Sequence, residues 1–215
     1  MIVARDRGQY LNHSLSQFMN SRVSGIDVID DFFSSEQLTE LLDVVQWLPA
    51  YYINRQDHVK GAPRYDIHWT YPLVERDDML EVDREPELRA LDETLHPIVD
   101  LWDRLKGLLG ASPMLYECML TANPYGLEGR PHYDCPDPAR RPNHVTVLVY
   151  CNREWDLAWG GETVVCDHEN EIVRAVLPKP GRISILRGDP YHVARGVSRF
   201  CLVDRRVLTY KAWLR

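Results

Sequence analysis

Residues 131–135 read PHYDC, which sets two metal-capable side chains, His132 and Asp134, on either side of Tyr133. In extended backbone, residues i and i+2 point to the same side of the chain. An imidazole and a carboxylate are then presented together, and Tyr133 faces away. The pair alone suits an exposed polar turn equally well. A third candidate, His192, lies about sixty residues on, in the strand-like run GDPYHVARGV behind a Gly-Asp-Pro turn. Two histidines and one carboxylate cover one face of an ion and leave the opposite positions open. That arrangement suits Fe(II) that must take up both a co-substrate and dioxygen. Neutral imidazole is a good ligand for such an ion, and one carboxylate lowers the charge of the site without closing it.

The chain that must position these groups has 215 residues, 45 % of them hydrophobic and 27 % charged, with a net charge of -7. This is the make-up of a soluble globular domain large enough to bury a core. No basic block stands out, so neither nucleic acid nor an anionic membrane is an expected partner. No apolar run is long enough to cross a bilayer. The cysteines are Cys118, Cys135, Cys151, Cys166 and Cys201. An odd set without a CxxC pair, behind a start that lacks a signal-like apolar stretch, reads as a protein of the reducing cytoplasm. The sequence specifies no oligomeric state.

A single domain over 1–215 is expected, with 1–25 as a loose polar arm. Residues 26–112 read as helical support and substrate-facing loops. IDVIDDFFSSEQLTELLDVVQWLP is a short strand followed by a helix. Ser34 and Gln37 form a capping box, Leu38, Leu41, Leu42, Val45 and Leu48 an apolar stripe, and Pro49 a stop. Residues 51–82 are irregular and aromatic-rich, with one or two strands. A second helical region starts at Pro86, is kinked or split by Pro97 and ends at Gly110. From 113 to 215, seven or eight short runs rich in β-branched and aromatic residues alternate with Gly, Pro, Asn and Asp turns. That texture predicts an antiparallel sandwich or barrel, with the helices packed on one face of a sheet. The fold class expected is therefore α+β with a mainly β core.

From Tyr116 to the C-terminus the sequence resembles the prolyl-4-hydroxylase-like branch of the 2-oxoglutarate/Fe(II) dioxygenases. PHYD resembles that family's first ligand strand. VTVLVYCNREWDLAWGGET resembles the strand that follows, its Tyr-x-Asn-x-x-Trp end and the Gly-Gly-Glu opening the next strand. LPKPGRISILRGDPYHV resembles the Pro-x-x-Gly hairpin leading to the distal histidine, and IDDFFSSEQLTELL the family's N-terminal opening. The resemblance implies a double-stranded β-helix of jelly-roll, cupin-like form. It implies Fe(II) held by His132, Asp134 and His192, with 2-oxoglutarate and O2 as co-substrates and ascorbate admitted as a reductant. It also implies a hydroxylase acting on a small-molecule or peptidyl substrate and releasing succinate and CO2. Related halogenases lack the carboxylate, so Asp134 speaks for hydroxylation.

The family binds the distal carboxylate of 2-oxoglutarate with a basic residue on the strand after the second histidine, here DRRVLTYKAWLR. Arg205 and Arg206 are both candidates, and only one can point inward because neighbours in a strand alternate. The family pattern favours Arg205, with Val207 and Thr209 on its face; hydropathy favours Arg206, with Leu208 and Tyr210. By the same resemblance Tyr150 is placed to bond that carboxylate, the alternative being a core tyrosine. Thr209 is a further donor candidate, and Tyr125 a candidate for the pocket wall or a loop aromatic. Gly160 and Gly161 read as a tight turn, and Arg140 and Arg141 as solvated charges on a lid-like loop, CPDPARRPN. His58, Arg64, His68 and Trp69 are candidates for gripping a substrate. Two other readings stay open on the residues alone: a cupin-like metal enzyme that does not use 2-oxoglutarate, and a non-enzymatic β-fold binding module.

Overall fold

The C-terminal strand β10 (Arg205–Leu214) is the spine of the molecule. Its alternate residues go to opposite faces. Leu208, Tyr210 and Ala212 join the large core under the helices, whereas Val207 packs in a second core between the sheets. In this computed structural model, which describes residues 25–54, 67–75, 82–110, 112–135 and 137–215, β10 pairs antiparallel with β4 (Pro113–Asn123) on one side and β5 (His144–Tyr150) on the other. The sheet continues outward to β8 (Ile183–Arg187) and β1 (Ile26–Ile29) beyond β5. Beyond β4 it continues to β3 (Ile67–Val74) and β2 (Tyr51–Asn54), giving the order β1-β8-β5-β10-β4-β3-β2. A second sheet holds β7 (Ile172–Val176), β6 (Thr163–Cys166) and β9 (His192–Ala194), in the order β7-β6-β9. Val165 and Val176 of the small sheet meet Tyr150, Leu186 and Val207 of the large one. The architecture is the expected α+β double-stranded β-helix, and seven strands lie from residue 113 onward where seven or eight were expected.

The helices cover the outer face of the large sheet. Helix α1 (Ser35–Trp47) starts at the expected capping box: the Gln37 amide donates to Ser34 Oγ at 3.2 Å, and the Ser34 amide to Gln37 Oε1 at 3.0 Å. Its buried stripe is Leu41, Leu42 and Val45. The second helical region is divided into α2 (Glu85–Arg89), a 3-10 turn (Glu93–Leu95) and α3 (His96–Leu109). Pro97 does split it, by serving as the first turn of α3, where a missing N–H costs nothing. Trp102 of α3 is fully buried and stacks on Tyr210 at 5.6 Å, and the Tyr210 hydroxyl donates to the Ile98 carbonyl at 2.7 Å. This helix layer leaves the inner face of the large sheet, opposite β6 and β9, for polar groups. The N-terminal arm, His58 and Arg64 fall outside the described residues.

Candidate active site

The segments that carry the two histidines meet at a β-bridge between His132 and His192. The His132 amide donates to the His192 carbonyl at 2.9 Å, and the His192 amide returns a bond at 3.1 Å. The backbone is extended at His132 and bends at Asp134 rather than running on as a regular strand. The expected geometry is nonetheless delivered: Tyr133 turns away onto Tyr191, with ring centroids 4.9 Å apart. One ligand atom from each of His132, Asp134 and His192 lies within 4.8 Å of the other two. Asp134 sits between the imidazoles, Oδ1 3.7 Å from His132 Nε2 and Oδ2 3.6 Å from His192 Nε2.

Both rings are oriented in the same way. His132 Nδ1 bonds the Arg130 carbonyl at 2.8 Å, and His192 Nδ1 the Pro190 carbonyl at 2.9 Å. A carbonyl can only accept, so each Nδ1 carries a proton and each Nε2 is the ring nitrogen turned towards Asp134. The donor set, its tautomers and its spacing fit a divalent ion. Asp134 and His192 are buried and the His132 side chain is 48 % exposed, so the site is reached from the His132 side.

Three groups that the sequence reading did not single out act on Asp134. Thr146 on β5 donates to Oδ2 at 2.7 Å. Lys211 on β10 places its ammonium 2.6 Å from Oδ1 and 3.2 Å from Glu117, its cross-strand neighbour on β4. Asp189 accepts the backbone amides of Asp134 and Cys135, each at 2.8 Å. Burial penalises the Asp134 carboxylate, but Lys211 and both imidazoles outweigh that penalty and hold it well below the usual carboxylate range. Burial, joined by the charge of Asp134, pushes Asp189 up to about 6. Lys211 was legible in principle, since it shares the strand parity of Arg205 and Thr209. Thr146 and Asp189 had no local signal.

The histidines differ. Burial pulls His192 down to about 4 despite Asp134. Burial also lowers His132, but the bond and charge of Asp134 outweigh it and leave it above the ordinary histidine value. A metal bound at these residues would displace one proton, from His132, wherever the pH lies below that raised value. Mn(II) affinity is expected to fall about tenfold per unit as pH drops below the His132 value, with one proton released per ion. His192, neutral down to about 4, does not add to that slope. Calorimetry in buffers of different ionisation heat gives the proton count, and a count of zero at about pH 6 excludes this competition.

Of the two arginines, Arg205 turns inward and Arg206 outward. Arg205 is 2 % exposed; its Nε donates to the Gly161 carbonyl at 2.6 Å and its Nη2 to Thr163 Oγ1 at 2.8 Å. No carboxylate of the described residues comes within 4.0 Å of it. Tyr150 stands beside it, ring centroid 5.5 Å from the guanidinium carbon, and donates to Thr163 at 2.8 Å. Gly161 does more than turn the chain. It has φ +73, and a Cβ there would meet Arg205 Cδ at 3.2 Å and Trp155 at 2.9 Å, so the glycine makes room for the arginine stem. Arg206 instead donates to the Val45 and Gln46 carbonyls at the end of α1 and pairs with Asp204. Its hydropathic face is the helix-packed one. Thr209 is buried at the centre of β10, paired with Met119 and Leu148. Tyr125 is 65 % exposed and lines an open cavity with Glu128, Glu162 and Arg195. Arg140 and Arg141 are not free solvated charges. They lie over the Trp213 and Tyr133 rings at 4.4 and 3.5 Å.

On this double-stranded β-helix two histidines and a carboxylate converge on one point, the donor set of non-haem iron sites, and a buried arginine has no carboxylate of the described residues within 4.0 Å. The model of the 2OG-Fe(II) oxygenase superfamily matches residues 120–215, a segment that holds all three converging residues and Arg205. Over that segment, the C-terminal part of the chain, the sequence is similar to the 2OG-Fe(II) oxygenases that the model describes. Among curated proteins none matches the chain. The fold is similar to that of a Trichoplax adhaerens prolyl hydroxylase solved with a hypoxia inducible factor peptide fragment. That likeness has 22 % identity over 94 % of this chain and 90 % of that one, with a TM-score of 0.60. It is also similar to a Pseudomonas putida prolyl-4-hydroxylase, at 19 % identity over 90 % and 94 % with a TM-score of 0.58. A third likeness is to SnoN, the non-heme alpha ketoglutarate dependent epimerase of nogalamycin biosynthesis, at 12 % over 94 % and 81 % with a TM-score of 0.64.

Proposed function

We propose that the protein holds Fe(II) through His132, Asp134 and His192 and 2-oxoglutarate through Arg205, and hydroxylates an unactivated C–H bond of an amino-acid, peptidyl or natural-product substrate. Succinate and CO2 are the co-products. The observation that carries this reading is the buried Arg205. A buried guanidinium with hydrogen bonds but no carboxylate of the described residues within ion-pair reach is costly, and a dianionic co-substrate supplies charge to match it. Its planar fork suits a carboxylate. Tyr150 and Thr163 flank it and add hydroxyls for the same carboxylate.

The iron supplies the redox chemistry with dioxygen when bound. The protein supplies orientation. The Arg130 and Pro190 carbonyls hold a proton on Nδ1 of both histidines and so leave Nε2 as the atom turned to the metal position, and Thr146 and Lys211 fix the Asp134 carboxylate plane. Arg205 and Lys211 lie on the same face of β10, so the strand that anchors the co-substrate also reaches the metal ligand. A peptidyl substrate draws support from the prolyl hydroxylase likeness, since that relative was solved with a peptide.

Adding Fe(II) and 2-oxoglutarate under anaerobic conditions is expected to give a weak visible band at roughly 500–530 nm, as chelation of ferrous iron by a keto acid does. Succinate release over panels of peptides, amino acids and small metabolites, with mass spectrometry for one added oxygen, then identifies the substrate. No band together with no succinate would sink the proposal.

A further inference from the structure

Asp189 joins the two ligand-bearing segments in a way that the β-ladder does not. The backbone pairing between them is the His132–His192 bridge with one further bond, from the Gly129 amide to the Ala194 carbonyl at 2.9 Å, and past the bridge the chain bends at Asp134. Asp189 lies three residues before His192, at φ +52, a left-handed conformation that aspartate tolerates better than most residues. From there its carboxylate, buried to 0 % side-chain exposure, reaches across to the other segment. Oδ1 accepts the Asp134 amide and Oδ2 the Cys135 amide, each at 2.8 Å. Arg141 Nε is 3.6 Å from Oδ2, and His144 Nδ1 is 4.0 Å from Oδ1.

Two consecutive amides claim both oxygens, so the position asks for two acceptors on one planar group. Asparagine has one acceptor and one donor and would set an NH2 against an N–H. A carboxylate here is also placed near the charge of Asp134, an arrangement that electrostatics alone disfavours. Its acceptor geometry is what the site gains. The backbone it grips is that of Asp134 itself, and the segment it belongs to carries His192.

Resting on the metal-centre reading above, we propose that Asp189 is a positioning residue. Its carboxylate sets the Asp134 backbone at a fixed distance from His192, so that the three ligand groups are assembled before an ion arrives. Metal affinity, more than global stability, depends on it.

The test is Mn(II) binding to the full chain, followed by the EPR signal of free Mn(II), together with the melting temperature. Asp189→Asn is expected to weaken binding about 10- to 100-fold, the range for partners behind metal ligands, at a temperature where the variant is folded. Asp167→Ala is the stability control. Asp167 Oδ1 also accepts two amides, from Glu169 at 2.9 Å and Glu171 at 3.0 Å, in the β6–β7 turn. That variant is expected to lose stability and keep wild-type Mn(II) affinity. Wild-type affinity in Asp189→Asn overturns the positioning role and leaves the metal centre standing; absence of Mn(II) binding in the wild type overturns the metal centre itself. Amide exchange of Asp134 and Cys135 in metal-free wild-type protein decides the matter without a variant. Slow exchange is expected, and exchange at the rate of an open loop refutes the clamp.

Discussion

His192→Ala is expected to abolish the roughly 500–530 nm band of the anaerobic Fe(II)–2-oxoglutarate complex and to cut succinate formation by at least about a thousandfold. Losing a partner behind a ligand costs about 10- to 100-fold in affinity or activity, and losing one of three ligands must exceed that. His192 is the most committed of the three. Burial holds it neutral down to about 4, Pro190 fixes its tautomer, and its backbone makes two of the bonds to the His132 segment. Those ladder bonds are backbone bonds, so the substitution leaves them in place. The metal-free melting temperature should move by only a few degrees, as about 1 kcal/mol does in a domain of this size. Retained band and retained turnover in a folded His192→Ala protein would remove His192 from the site.

The second large effect separates the neighbouring arginines. Arg205→Met is expected to raise KM for 2-oxoglutarate about 10²- to 10³-fold, in line with the 2–5 kcal/mol lost when one partner of a buried charged pair is truncated. Saturating 2-oxoglutarate should restore much of kcat. Arg205→Lys should fall between, because an ammonium keeps the charge and loses the fork. Arg206→Met should leave KM within about twofold and lower the melting temperature instead, since Arg206 satisfies the Val45 and Gln46 carbonyls at the end of α1. Steady-state kinetics at varied 2-oxoglutarate reads all three. The reverse pattern, with Arg206 controlling KM, would move the co-substrate to the other face of β10 and overturn the assignment.

Much of the architecture was legible because it is written in local periodicity. Alternation in HVTVLVY and RRVLTYKAWL marks β5 and β10, the Ser34–Gln37 box starts α1, and Gly110, at φ +66, ends α3. The converging residues were legible for a related reason. His132 and Asp134 are two apart, and His192 follows a Gly-Asp-Pro turn, so residue type and spacing carry the chemistry before any contact is known. The break in the second helical region was anticipated at Pro97, but a proline is comfortable in a first turn, so the break falls just before it.

What lay beyond the sequence were contacts between segments far apart in the chain. Parity says that one of Arg205 and Arg206 points inward; which one depends on where α1 packs, and α1 takes Arg206. Gly160 and Gly161 read as turn residues, and only the approach of Arg205 shows that Gly161 must lack a Cβ. Thr146, Lys211 and Asp189 act on Asp134 from β5, from β10 and from the turn before β9. No window of sequence brings these four together. The sequence by itself determined the types and strand parity of the converging residues and a sandwich-or-barrel core. The tertiary structure decided the inward arginine and the groups that hold Asp134 in place, because hydrogen bonds and buried charges are satisfied across strands, where neighbours in space are not neighbours in the chain.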